Sequence, residues 1–279
     1  MKIGIVGAGT MGAGIAQVCA MAGHDVTIFD LAEDACKRAI RTIEKNLDKG
    51  ISIGKISSDA KNKALSKIKI TSSLPDMVVD LAIEAIVERL DVKIKLFQDL
   101  AEINSENTIL ATNTSSIPIT QISAAIPNPE RVVGIHFFNP AHIMKLVEVV
   151  SGAHTSQEVA DKAYSFVEEI KKTPIRAKDS PGFIVNRVAR HYYVEGLKVL
   201  EENVASHDVI DDLLRSSGFK MGPFQLMDLI GVETNFSVTQ SMYNLFNQDS
   251  KFRPSRIQKQ KVDAGHYGRK TGKGFYTYE

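Results

Sequence analysis

The stretch from Lys2 to Asp30 constrains this chain most: an apolar run, a glycine-punctuated loop, a helix, and a second apolar run closed by an acid. Ile3-Gly4-Ile5-Val6 is rich in β-branched residues and suits a strand buried on both faces. Gly7-Ala8-Gly9-Thr10-Met11-Gly12 follows, a G-x-G-x-x-G loop. Ile15, Ala16, Val18, Cys19 and Ala22 then recur along one side of a helix, which Gly23 ends. Val26-Thr27-Ile28-Phe29 is the second strand, and Asp30 closes it.

In such a unit the first glycine permits the tight turn out of the strand. The second keeps side-chain atoms away from a pyrophosphate, and the third lets the helix pack on the sheet. The first N–H groups of the helix then face the phosphates, with the positive end of its dipole behind them. The strand–loop–helix–strand context points to a bound dinucleotide. Asp30 is placed to accept hydrogen bonds from the adenosine ribose; the competing reading is a capping carboxylate for a helix beginning near Ala32.

Composition excludes several partners. The 279 residues are 43% hydrophobic and 24% charged, an ordinary globular composition with room for one large or two modest domains. A net charge of +1 leaves no electrostatic footprint for nucleic acid or a membrane surface, although a local basic patch stays open. The two cysteines, Cys19 and Cys36, have neither metal-ligand spacing nor a disulfide framework, and Cys19 reads as a buried thiol. The scattered histidines show no zinc spacing, so no metal is expected. The first strand begins at once, leaving no room for a targeting peptide, and no apolar run approaches membrane-spanning length. A cytoplasmic protein is the expectation.

Along the chain, helix and strand patterns alternate. Residues 32–48 read as a helix, with strands at 68–71, 78–83 and 108–111. A helix with Val92, Leu96 and Leu100 on its apolar face precedes the last of these. The fold class is therefore α/β, a doubly wound Rossmann-type sheet followed by a smaller all-α domain. Strands at 132–138 and 145–150 have no helix between them, so they should pair antiparallel. A helix at 156–172 and a short strand at 175–177 follow, then the boundary Asp179-Ser180-Pro181-Gly182. Beyond it the expected helices are 183–203, 206–217, 223–230 and 231–246, with a glycine-punctuated tail from Gly268 to Tyr276. The first of these has Phe183, Asn186, Tyr193, Leu197 and Leu200 on a shared side. Domains of 1–179 and 180–279 result.

His136 and Glu148 are the most suggestive chemical pair. Each interrupts an apolar strand, and a buried carboxylate is costly unless paired. An imidazole is its natural partner, as a general base oriented by the carboxylate or simply as a structural hydrogen bond. Ser115 lies just past a strand's carboxyl end and Asn186 near a helix start; each could equally satisfy local backbone. The segment 45–69 is rich in lysine, read either as a solvated helix pair or as a basic arm for a phosphate-bearing handle. No G-x-S-x-G elbow occurs, which argues against a serine hydrolase.

Taken in order, Gly7–Gly12, Glu84-Ala85-Ile86-Val87-Glu88, Asn113-Thr114-Ser115-Ser116, His136-Phe137-Phe138-Asn139-Pro140, Met144–Val149, Pro181–Arg187 and Gly268–Tyr276 closely resemble the short-chain L-3-hydroxyacyl-CoA dehydrogenases. The resemblance spans nearly the whole chain. It implies NAD-dependent, reversible oxidation of an (S)-3-hydroxyacyl-CoA, with 3-hydroxybutyryl-CoA as the expected substrate. By position it implies His136 as base, Glu148 as the carboxylate orienting it, and Ser115 and Asn186 as the pair holding substrate. It implies cofactor contacts from Gly7, Ala8, Gly9, Thr10, Met11 and Gly12, and from Asp30, Glu88, Lys93, Asn139 and Lys270. The acyl-CoA handle would meet the arm after the second strand, with Lys49 and Lys55 as candidates. Asn46 stands where some members carry a polar contact to that handle. The resemblance also implies a homodimer held by the C-terminal domain, for which the apolar Met221–Leu229 segment gives support, although that segment could equally be the domain's own core. Two alternatives stay open: a dehydrogenase of a non-CoA hydroxy acid such as gulonate, and a non-catalytic, crystallin-like NAD-binding protein.

Overall fold

The apolar run after Met1 forms β1 (Lys2–Val6), and the helix behind the glycine loop is α1 (Thr10–Met21). In the computed structural model, which describes residues 1–279, these open a unit spanning Met1–Ser180. The chain continues through β2 (Asp25–Phe29), α2 (Glu33–Ser52), α3 (Ser58–Ser66), β3 (Ile68–Thr71), β4 (Leu81–Glu84), α4 (Leu90–Ile103), β5 (Ile109–Thr112) and the short α5 (Ile119–Ser123). Then come β6 (Val132–Phe137), β7 (Leu146–Ser151), α6 (Gln157–Glu169) and β8 (Thr173–Lys178). The eight strands form one sheet in the order β3-β2-β1-β4-β5-β6-β7-β8. All pairs are parallel except β6 with β7. Strand order reverses between β1 and β4, so the crevice beyond their carboxyl ends is where such a sheet takes its ligand.

The sheet's core is the one its β-branched strands require: Ile3, Ile5, Ile28, Ile83 and Ile135 are fully buried. Against it α2 lays Cys36, Ala39, Ile43 and Leu47. Both thiols are buried, and desolvation pushes that of Cys19 up to about 12.

Several boundaries differ from the pattern. The α2 helix runs on to Ser52, because buried Gly50 lets Ile56 close over its last turn. The β4 strand begins at Leu81 rather than Val78. Asn104 takes the Val79 N–H on its Oδ1 at 2.9 Å and donates to the Met77 carbonyl at 3.0 Å, so a side chain satisfies backbone that would otherwise seek a strand partner. The inward face of α4 is Lys93, Phe97 and Leu100; Val92 and Leu96 are only half-buried.

The second unit, Pro181–Glu279, is helical: α7 (Val185–Glu201), α8 (His207–Ser216), α9 (Pro223–Ile230), α10 (Val232–Leu245) and α11 (Arg256–Asp263). Helix α7 starts late because Gly182 and Phe183 take left-handed φ values of 72° and 48°, which a helix cannot include. Phe183 is thus buried ahead of the helix, and α7 buries Arg190, Tyr193, Val194 and Leu197. The α11 helix carries only two apolar residues, Ile257 and Val262, which hid it; Ser255 caps it by accepting the Gln258 N–H. Phe224 and Met227 are fully buried among Tyr193, Leu197, Val232 and Phe275, so the 221–229 segment is largely the unit's own core. Asp228 secures the tail, accepting the N–H groups of Phe275 and Tyr276 at 2.9 Å each.

Candidate active site

At the carboxyl end of β1 the chain turns through Gly7, whose φ of +105° is strained for any side chain. A Cβ on Gly12 would lie 1.8 Å from the Gly7 carbonyl oxygen, so α1 can start this close to the strand only with glycine there. A Cβ on Gly9 would meet nothing within 4 Å: the loop backbone there borders open space at the N-terminus of α1. Asp30 holds backbone on both sides of the second strand's end. Its Oδ2 accepts the Ala8 N–H at 2.9 Å, bracing the glycine loop, and its Oδ1 accepts the Ala32 N–H at 3.0 Å, just before α2. Gly7, Gly9 and Asp30 border a cleft of about 860 Å³ whose wall includes Leu31, Leu74, Val92 and Leu96. Bare backbone N–H groups at a helix start, a carboxylate at the next strand end and an apolar slot fit the diphosphate, ribose and flat ring of a dinucleotide.

Across the crevice, Glu84 ends β4 fully buried. It accepts the Lys93 ammonium at 2.5 Å and the Ile86 N–H at 2.7 Å on Oε1, and the Thr112 hydroxyl at 2.7 Å on Oε2. Lys93 also reaches Glu88, 3.1 Å away. Its side chain is 1% exposed, because an ammonium drawn into the interior must be paired. Lys93 therefore stands behind Glu88, its charge shared between two carboxylates. Glu88 in turn accepts the hydroxyls of Thr114 and Ser116 and the Ser115 N–H. Burial would raise the Glu88 carboxyl, but the Lys93 ammonium and these hydrogen bonds outweigh it and hold it below the ordinary carboxylate range.

Ser115 is half-buried on this loop and does not cap a helix. Thr114 accepts the Ile117 N–H at 2.9 Å instead, and Asp179 accepts the Ile119 and Thr120 N–H groups at the start of α5. Asn113 accepts the Phe137 N–H at 2.8 Å, tying the loop to β6 beside His136. His136 and Glu148 are directly opposed on β6 and β7. The imidazole Nδ1 lies 2.7 Å from Glu148 Oε2, both residues are buried, and Phe138 packs 4.6 Å from the imidazole ring. With Nδ1–H given to the carboxylate, Nε2 carries the lone pair of a neutral imidazole, the state a general base needs.

The remaining expected residues fall on other elements. Asn139 is exposed at the start of the turn after β6. Lys49 and Lys55 are exposed at and beyond the end of α2, while Lys61 and Lys67 are ion-paired to Asp48 and Asp25. The Asn46 amide donates to Gln17 at 3.1 Å. Asn186, half-buried in the first turn of α7, and Lys270, exposed and paired to Glu233, belong to the second unit. Sequence reasoning gave no role to Glu84, Thr112, Asn113 or Asp179; for Glu84 and Asn113 the available signal was an acid or amide at the end of an apolar run, and for Thr112 there was none. No cluster of acidic, histidine or cysteine side chains could hold a metal ion, and no helix is long and apolar enough to cross a membrane.

Two family models cover the chain. Residues 2–180 match the 3-hydroxyacyl-CoA dehydrogenase NAD binding domain, and residues 182–278 match the C-terminal domain of the same family. A 3-hydroxyadipyl-CoA dehydrogenase of Escherichia coli is 48% identical over 99% of this chain, which spans 58% of that relative. A probable 3-hydroxybutyryl-CoA dehydrogenase of Deinococcus radiodurans is 40% identical, with both chains covered in full. The crystal structure of the (S)-3-hydroxybutyryl-CoA dehydrogenase of Ralstonia eutropha superposes with a TM-score of 0.95 at 39% identity, covering 100% of this chain and 99% of that one.

Proposed function

The chain belongs to the 3-hydroxyacyl-CoA dehydrogenase family, and on that premise we propose that it oxidises (S)-3-hydroxybutyryl-CoA to acetoacetyl-CoA, reversibly and with NAD. The observation that carries this reading is the buried His136–Glu148 pair, 2.7 Å apart at the carboxyl end of the sheet and one strand from the Ser115 loop. Bound NAD supplies the acceptor for the hydride leaving C3 of the substrate. His136 Nε2 takes the proton of the 3-hydroxyl as that hydride leaves, and returns it in the reverse direction. Glu148 keeps the imidazole in the tautomer with Nδ1–H and stabilises the imidazolium once formed. The Ser115 hydroxyl and the Asn186 amide hold the reacting oxygen. Asp30, Glu88, Asn139 and Lys270 contact the cofactor, with Lys93 supporting Glu88 from behind. Lys49 and Lys55, exposed on the arm formed by α2 and α3, meet the phosphates of the CoA handle.

The second unit pairs with a second copy of the chain. Support for pairing comes from α8, where Val209 and Leu213 stand one turn apart at 52% and 65% exposed, near exposed Phe219 in sequence. The compartment is the cytoplasm, and the reaction serves fatty-acid breakdown or butanoate synthesis, which share this chemistry. A second substrate reading comes from the Escherichia coli relative, named for a six-carbon dicarboxylic acyl group.

A panel of 3-oxoacyl-CoA esters with NADH tests the reading: acetoacetyl-CoA, longer chains to sixteen carbons, and 3-oxoadipyl-CoA, with gulonate and NAD run separately. Highest kcat/KM on acetoacetyl-CoA is expected. Activity on gulonate alone would replace the CoA reading, and NADH binding with no turnover of any ester would leave a non-catalytic protein.

A further inference from the structure

The crevice floor holds a charge imbalance. Glu84 and Glu88 bring two carboxylates, and Lys93 brings the one ammonium between them. Each hydrogen bond described for the two carboxylates is one they accept, from an ammonium, hydroxyls or backbone N–H groups. That is the arrangement of the ionised form. The cluster therefore carries one net negative charge, and the neighbouring exposed cations do not cancel it: Arg89 is paired to Asp91 and Lys95 to Asp99.

Its place in the sheet decides what it faces. Glu84 ends β4, opposite Val6 of β1 and Thr112 of β5. Asp30, at the end of β2, lies on the other side of the glycine loop. A dinucleotide with its adenosine ribose at Asp30 and its diphosphate at Gly7–Gly12 must send its other half toward β4 and β5. That half is the nicotinamide, which is cationic when oxidised and neutral when reduced. On the reading of the site given above, we infer that Glu84, by leaving this cluster one negative charge in excess, tunes the protein's relative affinity for the oxidised and reduced cofactor in favour of the oxidised one.

Glu84 and Lys93 are buried and only Glu88, 39% exposed, reaches solvent, so salt screens the cluster from one side and one unit of charge acts over several ångströms. Glu84→Gln keeps an oxygen for Ile86 and leaves Glu88 with Lys93, so the cluster becomes neutral. The dissociation constant for NAD should then rise at least about threefold relative to that for NADH, the scale of one partly buried charge. A loss of packing alone would weaken both forms by the same factor.

The experiment measures NADH binding by its own fluorescence, and NAD binding by displacement of NADH, for wild type, Glu84→Gln, Glu84→Asp and the double variant Glu84→Gln with Lys93→Met. The double variant removes one charge of each sign and keeps the net charge at the wild-type value, and it also removes the buried ammonium should the single variant fold poorly with one carboxylate fewer beside it. Wild-type ratios in Glu84→Asp and the double variant, with a shifted ratio in Glu84→Gln, are the expected result. An unshifted Glu84→Gln, or a double variant that departs from the wild-type ratio, would overturn the inference. Absence of NADH binding to wild type would instead overturn the cofactor reading beneath it.

Discussion

His136 and Glu148 face each other across the only antiparallel pairing in the sheet, with Nδ1 and Oε2 2.7 Å apart. Antiparallel opposition places two side chains on the same face at the closest approach a sheet allows. Here it joins the only titratable residues on two strands that are apolar but for Ser151 at the end of β7.

That geometry predicts a single functional unit. His136→Gln should lower kcat with acetoacetyl-CoA by roughly 10²–10⁴-fold, the usual worth of a general base, while NADH affinity stays near wild type. Glu148→Gln should do likewise, because an amide cannot stabilise the imidazolium as well. The double variant should be little worse than either single one. Multiplicative losses would show that the two act independently.

The cofactor preference should be NAD over NADP. With the adenosine ribose at the end of β2, as proposed, a 2′-phosphate would meet the charge of Asp30, and Leu31 and Ala32, which follow it, offer no cation. Asp30→Asn keeps an acceptor for the Ala8 or Ala32 N–H and should narrow the gap, chiefly by weakening NADH. Steady-state kinetics with NADH and NADPH decides; equal kcat/KM in the wild type would refute the assignment.

Two glycines of the loop should separate stability from binding. Gly12→Ala drives a methyl against the Gly7 carbonyl and should cost about 3 kcal/mol, at the upper end of overpacking. Gly9→Ala adds a methyl where nothing lies within 4 Å, so urea unfolding should be unchanged while NADH binding weakens. Equal effects of both substitutions on unfolding would contradict this account.

Glu88 gives the site an acid limit. Its carboxyl is held below the ordinary value of 4.5, so the stabilisation it provides is fully present above that value. The contribution is lost only as pH falls through the depressed folded value. NADH binding should therefore persist to pH 4.5 as far as Glu88 is concerned, and Glu88→Gln should remove a step from the pH dependence below it. An unchanged acid limb in that variant would show that Glu88 does not set it.

Assembly should depend on the second unit. Sedimentation of the intact chain at micromolar concentration should give a mass near twice 30.6 kDa, and Leu213→Lys should shift it toward one chain. A wild-type monomer would dispose of the dimer.

What the sequence determined by itself is what short-range pattern encodes. The glycine spacing, the flanking strands and Asp30 lie within thirty residues, and each follows from local sterics and helix or strand period. The antiparallel turn between β6 and β7 was legible for the same reason, since too few residues separate the strands for a crossover. Tertiary structure alone decided the partners of Lys93. Its helix shows Val92 and Leu96 as the apolar stripe, yet α4 turns Lys93 inward because Glu84 is buried nine residues earlier. Nothing in a linear pattern tells a lysine whose carboxylates wait inside from one that stays in water, because the deciding desolvation and pairing energies exist only after β4, α4 and β5 have packed. The same holds for Asn104, which delayed the start of β4 by filling backbone hydrogen bonds from 25 residues away, and for Asp179, which braces the start of α5 across 60 residues. Local period sets which residues can form a strand or helix; which buried charge meets which is set by the register of the folded sheet.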